Sequence, residues 1–171
     1  MGRQEAGESI VTVEIGEYLV GAYLKVIVGC DVVDYRVRFG AKDAETVDVL
    51  GVDISKKTAY LCGVSTHLSE LRHGDSNHST IDFVSEKRRS YQVYASARFS
   101  EFNHRFMFWS PVVESGYLEN RLTEISGLEL IANMGYKKAV DELTEQARID
   151  KRDVGNPAFR MLQILGSLPR Y

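Results

Sequence analysis

Residues 45–67, ETVDVLGVDISKKTAYLCGVSTH, constrain the fold more than any other part of the chain. Two apolar runs, TVDVLGVD and TAYLCGVS, flank the polar tetrapeptide ISKK. Runs of that length around a short polar turn predict a β-hairpin. Inside the first strand stands a single acid, Asp48, with Asp53 at its end beside the turn. On the second, alternation with period two puts Leu61, Gly63, Ser65 and His67 on one side. Asp48 is expected to face the same spot from the neighbouring strand.

The remaining elements arrange themselves around this hairpin. A helix is expected over residues 12–27, where Val13, Ile15, Leu19, Ala22, Tyr23 and Val26 form an apolar face and Gly29 stops it. DVVDYRVRF alternates Val33, Tyr35, Val37 and Phe39 with charged residues, as a half-exposed strand does. Residues 67–79 are rich in Gly, Asn, Asp, Ser and His and predict a loop. A helix follows over 80–98, then the strand RFMFWSPVV, a helix over 115–124 and the strand GLELIAN. A helix over 136–148 comes next. Asn156-Pro157 opens the last helix, with Asn as the cap and Pro at the first helical position. That helix sets Ala158, Met161, Leu162, Leu165 and Leu168 on one face. A meander followed by two helix–strand crossovers predicts an α/β fold: one domain, with a mixed sheet flanked by helices. Residues 1–10 read as a flexible tail and residues 11–171 as the domain.

Composition removes several function classes. The net charge is −3, so no global field draws nucleic acid or acidic membranes, and any anion-binding surface must be local. No apolar run approaches the roughly 18 residues that span a bilayer. The polar start MGRQEAGES has no signal-peptide apolar region. Cys30 and Cys62 sit in apolar surroundings and are expected to be reduced and buried. These features together predict a cytoplasmic protein with no membrane partner. The four histidines, His67, His73, His78 and His104, lack the spacing of a structural zinc site.

Metal-assisted phosphodiester hydrolysis needs carboxylates beside the scissile phosphate, usually with a lysine to stabilise developing charge. The chain resembles the PD-(D/E)xK superfamily of Mg-dependent nucleases, which have the restriction-endonuclease-like fold. The resemblance runs through GEYLVGAYLK, VDVLGVD, CGVSTH and the basic helix SEKRRSYQVYA. It implies that Glu17 is the first-helix acid, that Asp48 is the family aspartate, and that Glu17 and Asp48 are ligands for Mg²⁺. It also places Gly63 where the second acid belongs and Ser65 where the lysine belongs. Lys87, on the following helix, is the candidate for a displaced lysine. His67, Lys87, Arg88, Arg89 and Arg98 are the candidate DNA contacts.

Three readings stand side by side. The first is a Mg-dependent DNA endonuclease-like protein, inactive or impaired because position 63 is glycine. The second is a non-catalytic nucleic-acid-binding domain that keeps the fold. The third is an interaction module whose basic helix and apolar last helix contact a partner. No target-recognition domain is visible, so specific cleavage would require a homodimer or a partner subunit.

Overall fold

The computed structural model describes residues 12–169. The expected tail at 1–10 lies outside the described residues. Five strands form one sheet in the order β1-β2-β3-β4-β5: Val32–Phe39, Glu45–Asp53, Thr58–Val64, Asn103–Ser110 and Leu128–Ala132. The first three run antiparallel as a meander, and β3, β4 and β5 run parallel. Parallel neighbours need a crossover element, supplied here by α2 (Asn77–Arg98) and α3 (Tyr117–Thr123). On the other face lie α1 (Ile15–Ala22), α4 (Asn133–Ile149) and α5 (Pro157–Ser167). The chain is thus a single α/β domain with a mixed sheet between two helical layers.

Each face of the sheet has its own core. Val49, Tyr60, Cys62, Met107 and Trp109 meet Val20, Leu24 and Ala139 on the α1/α4 side. Leu50, Val52, Leu61 and Phe106 meet Tyr91 and Ala95 of α2 on the other side. Strands covered on both faces carry near-continuous apolar sequence, which is why β2, β3 and β4 read as such runs. Both cysteines are free and buried. Burial, the main cause, pushes the Cys30 thiol up to about 11 and the Cys62 thiol higher still, so neither is a nucleophile at neutral pH.

Three differences from expectation concern the helices. The first helix begins at Ile15 rather than at residue 12, and its last turn, Tyr23–Val28, is π-helical before Gly29 closes it at φ +85°. The fourth helix starts at Asn133, directly after β5, with no loop between them. Of the predicted apolar face of the last helix, only Ala158 is fully buried and Leu162 partly so. Ala158, Phe159 and Gln163 point inward, while Met161, Leu165 and Leu168 are exposed, as is Ile164. Gln163 earns its inward place by donating to the carbonyls of Asp150 at 2.7 Å and Arg152 at 2.9 Å.

Candidate functional site

Extending the β2–β3 register, in which Val49 faces Cys62, sets Asp48 directly across from Gly63. Both face α2. Asp48 is 7% exposed and carries a carboxylate, so it requires partners. Its Oδ2 accepts the Val64 N–H at 2.8 Å. Lys87 Nζ, from the middle of α2, lies 2.9 Å from Oδ2 and 3.1 Å from Oδ1. The Asp48 N–H reaches the Tyr91 hydroxyl at 3.4 Å. Burial, and then the Asp48 charge, raise the Tyr91 pKa well above the ordinary phenol value, so its O–H stays protonated.

The glycine opposite is a packed position. A Cβ at Gly63 would stand 2.8 Å from Phe108 Cδ2 and 3.0 Å from Lys87 Cε. Packing against these two side chains is thus a reason for glycine at this strand position. The Phe108 ring and the Lys87 stem fill the volume that a side chain at 63 would need.

Across β2 on the other side stands Arg36. Tyr35 pairs with Val49 and Val37 with Val47, but the intervening Arg36–Asp48 pair is missing from the ladder. Arg36 adopts φ +53°, a left-handed conformation that costs an arginine about 1–3 kcal/mol. The inside/outside alternation is lost at the same place, since Val47 joins the Leu50 and Val52 cluster rather than that of Val49. The turned backbone sends the guanidinium to the start of α1. There Arg36 Nε lies 2.6 Å from Glu17 Oε1, and Nη2 lies 3.8 Å from Glu14 Oε1. The Nε is buried and makes no aligned hydrogen bond, so the short contact with Glu17 is a charge pair. Burial works against the Arg36 charge, but Glu17 and, further off, Asp48 and Glu14 outweigh it and raise its pKa.

Glu17 is 2% exposed, not the surface charge that its position near a helix start suggests. Its Oε2 accepts the Glu14 N–H at 2.8 Å, which closes the first turn of α1. Thr66 Oγ1, just past β3, donates to the Glu14 carboxylate.

Glu17, Arg36, Asp48 and Lys87 line one cleft of about 250 Å³ at the end of β3. Glu14, Ser65, Thr66, His67, Arg72 and His73 also stand in its wall. Ser65 is buried, donates its N–H to the Trp109 carbonyl at 2.8 Å, and leaves its Oγ without a hydrogen bond. His67 is exposed at the mouth, and His73 stacks on Phe83 at 3.9 Å.

The structure therefore brings Glu17, Asp48, Gly63, Ser65, His67 and Lys87 together. It does not bring the basic run of α2 onto one surface. Lys87 turns into the cleft. Arg88 packs 4.5 Å from the centre of the Phe106 ring and bonds Gln92. Arg89 faces solvent, and Arg98 lies about two and a half turns further along, also exposed. Consecutive helical positions are about 100° apart, so Lys87, Arg88 and Arg89 diverge. Sequence reasoning missed Arg36, Glu14 and Arg72. Arg36 alternates with apolar residues on an outer strand, which is the usual signature of a solvent-facing charge.

Among the described residues no helix is long and apolar enough to cross a membrane. The chain matches no family model, no curated protein and no solved structure.

Proposed function

We propose that the cleft is a phosphodiesterase-type site of the PD-(D/E)xK plan, lacking its second acid, in a protein that engages the DNA backbone and cleaves it poorly or not at all. One observation carries this reading. Lys87 reaches from a helix 39 residues away to bridge both oxygens of Asp48, directly over the glycine where the second acid would stand. A buried ion pair is costly to desolvate and adds little stability over an apolar pair, which favours a functional reason for keeping this one.

The residues as they stand do not fit Mg²⁺. That ion requires near-octahedral oxygen coordination. Asp48 gives both oxygens to Lys87 and Val64, and Glu17 gives its two to Arg36 and the Glu14 N–H. Among the described residues no three His, Cys, Asp or Glu side chains group as ligands. What the chain's own residues supply toward a phosphate oxygen is Lys87 within the cleft and Arg72 at its wall, with His67 beside them as a hydrogen-bonding group.

Plasmid nicking with Mg²⁺ or Mn²⁺ tests the catalytic half. The parent is expected to be silent. Gly63→Glu is expected to bring cleavage, more readily with Phe108→Leu, which clears the ring in its way. Asp48→Asn added to it is expected to remove cleavage. A folded Gly63→Glu/Phe108→Leu protein that stays silent would leave only the non-catalytic binding domain. Fluorescence anisotropy tests that half. Two to three phosphate contacts give a log–log salt slope of about −2 to −2.7, and no binding at low salt would end the DNA reading.

A partner-binding role for α5 has its own support. Met161, Ile164, Leu165 and Leu168 are each more than half exposed along one stripe of the helix. Such a stripe suits a second copy or a partner subunit. Light scattering on the parent and on Leu165→Glu tests the homodimer. A dimer in the parent and a monomer in the variant is the expected result.

A further inference from the structure

We infer that Leu68 is a wedge that enters the base stack of DNA held at the cleft, so that the site selects a duplex already weakened at one step, as by a mismatch. The inference rests on the DNA reading above and names the class of DNA which that reading leaves open. Its basis is the segment that leaves β3. Ser65 donates its N–H to the Trp109 carbonyl, and Thr66 Oγ1 donates to the Glu14 carboxylate. Further on, Leu71 is buried, and its N–H donates to the Val112 carbonyl at 2.9 Å. Between these anchors residues 67–70 are all exposed, and the backbone bends at Leu68 and Ser69. Leu68 is 85% exposed, more than any other large apolar side chain among the described residues. Its neighbour His67 lines the cleft, and so does Arg72 beyond the second anchor.

A single exposed leucine is ordinary on a protein surface. What sets Leu68 apart is how and where it is held. A side chain that parts two bases must be apolar and free of its own protein's core, and its backbone must not yield. Leu68 meets these conditions on an arch tied at both ends and rooted in the wall of the cleft. Arg72 and Lys87 take the phosphate, which fixes the DNA backbone while the arch meets the bases beside it. Burying one leucine offsets only part of the cost of unstacking an intact step. That cost is lower at a mismatch, so there the wedge adds net affinity.

The test is fluorescence anisotropy with the full chain in EDTA, on two duplexes of one length that differ only in a central mismatch. Both carry the same phosphate charge, so their affinity ratio isolates the base step and should not change with salt. The parent is expected to bind the mismatched duplex about tenfold more tightly. A fluorescent adenine analogue beside the mismatch should brighten on binding as it unstacks. Leu68→Ala is expected to bind the two duplexes within about twofold of each other and to leave the analogue dim, and Leu68→Phe to restore both signals. Leu68 touches no core, so these variants should melt with the parent. Val93→Ala, which trims another exposed apolar side chain, on α2, should behave as the parent does. Equal affinity of the parent for both duplexes would overturn the inference and leave the DNA reading standing, as would a preference that survives Leu68→Ala. Failure to bind either duplex at low salt would end the DNA reading and the inference with it. Nothing here depends on cleavage, so a silent Gly63→Glu variant would leave the result intact.

Discussion

Asp48 and Asp53 lie five residues apart on the same strand, are both buried, and both pair with a lysine. The resemblance ends there. Asp53 belongs to the β2–β3 turn. It accepts from Ser55 Oγ, the Lys56 N–H and Lys56 Nζ, all within three residues. The Lys56 side chain is 62% exposed. Any hairpin with this turn could make those bonds. Asp48 draws its partners from β3 and from two turns of α2, and its lysine is only 20% exposed. A locally satisfied acid caps a turn. An acid satisfied only by distant elements marks a place that the whole fold was required to assemble.

The comparison breaks most sharply at Lys87. Lys87→Met leaves a buried carboxylate without its cation and should destabilise the protein by about 3 kcal/mol in urea denaturation. Asp48→Leu added to it should recover at least half of that loss, because an apolar pair substitutes well for a buried ion pair. A loss below about 1 kcal/mol for Lys87→Met would place Asp48 in the same class as Asp53. Gly63→Ala should come next, at about 1–2 kcal/mol, because its Cβ meets Phe108 and Lys87. In a Phe108→Leu background the cost should shrink, and the coupling of the two changes measures how far the ring enforces glycine.

The turn end gives the smallest effects and a distinct pH signature. Hydrogen bonds from Lys56, first through its side chain, hold the Asp53 pKa at about 2 against an ordinary 3.8. A depressed carboxylate pKa stabilises the fold above the unfolded value and loses that contribution as pH falls through the folded value. The stability gap between parent and Asp53→Asn should therefore be full above pH 4 and close toward pH 2, in urea melts across that range. Lys56→Met should shift stability least, since its ammonium is solvated in either state.

Most of the architecture was legible because its signals are local. Apolar runs with polar turns located the strands, and Asn156-Pro157 located the start of the last helix: Asn156 Oδ1 accepts the Phe159 N–H at 2.9 Å. Asp48, Gly63 and Lys87 were legible only as positions in a pattern; that they converge is a property of the folded sheet. Arg36 was not legible at all. Left-handed backbone is predictable where glycine or asparagine stands, and here it is imposed on arginine by glutamates some twenty residues away. Which face of α5 is buried was not legible for a related reason. Periodicity shows that a helix has an apolar stripe, but Phe159 and Gln163 were chosen by the shape and carbonyls of their neighbours.

Asn156 also fixes when the molecule can be finished. Its amide nitrogen donates to the Tyr18 carbonyl at 2.8 Å and to the Tyr35 hydroxyl at 2.9 Å, contacts that span 138 and 121 residues. During synthesis the first helix and first strand emerge early and must wait, with those two acceptors unfilled, while nearly the whole sheet is translated. A ribosome stalled before residue 156 should thus hold a chain whose opening segment is still open to proteases. Protection of that segment should arrive late and abruptly, once this one side chain has cleared the exit tunnel.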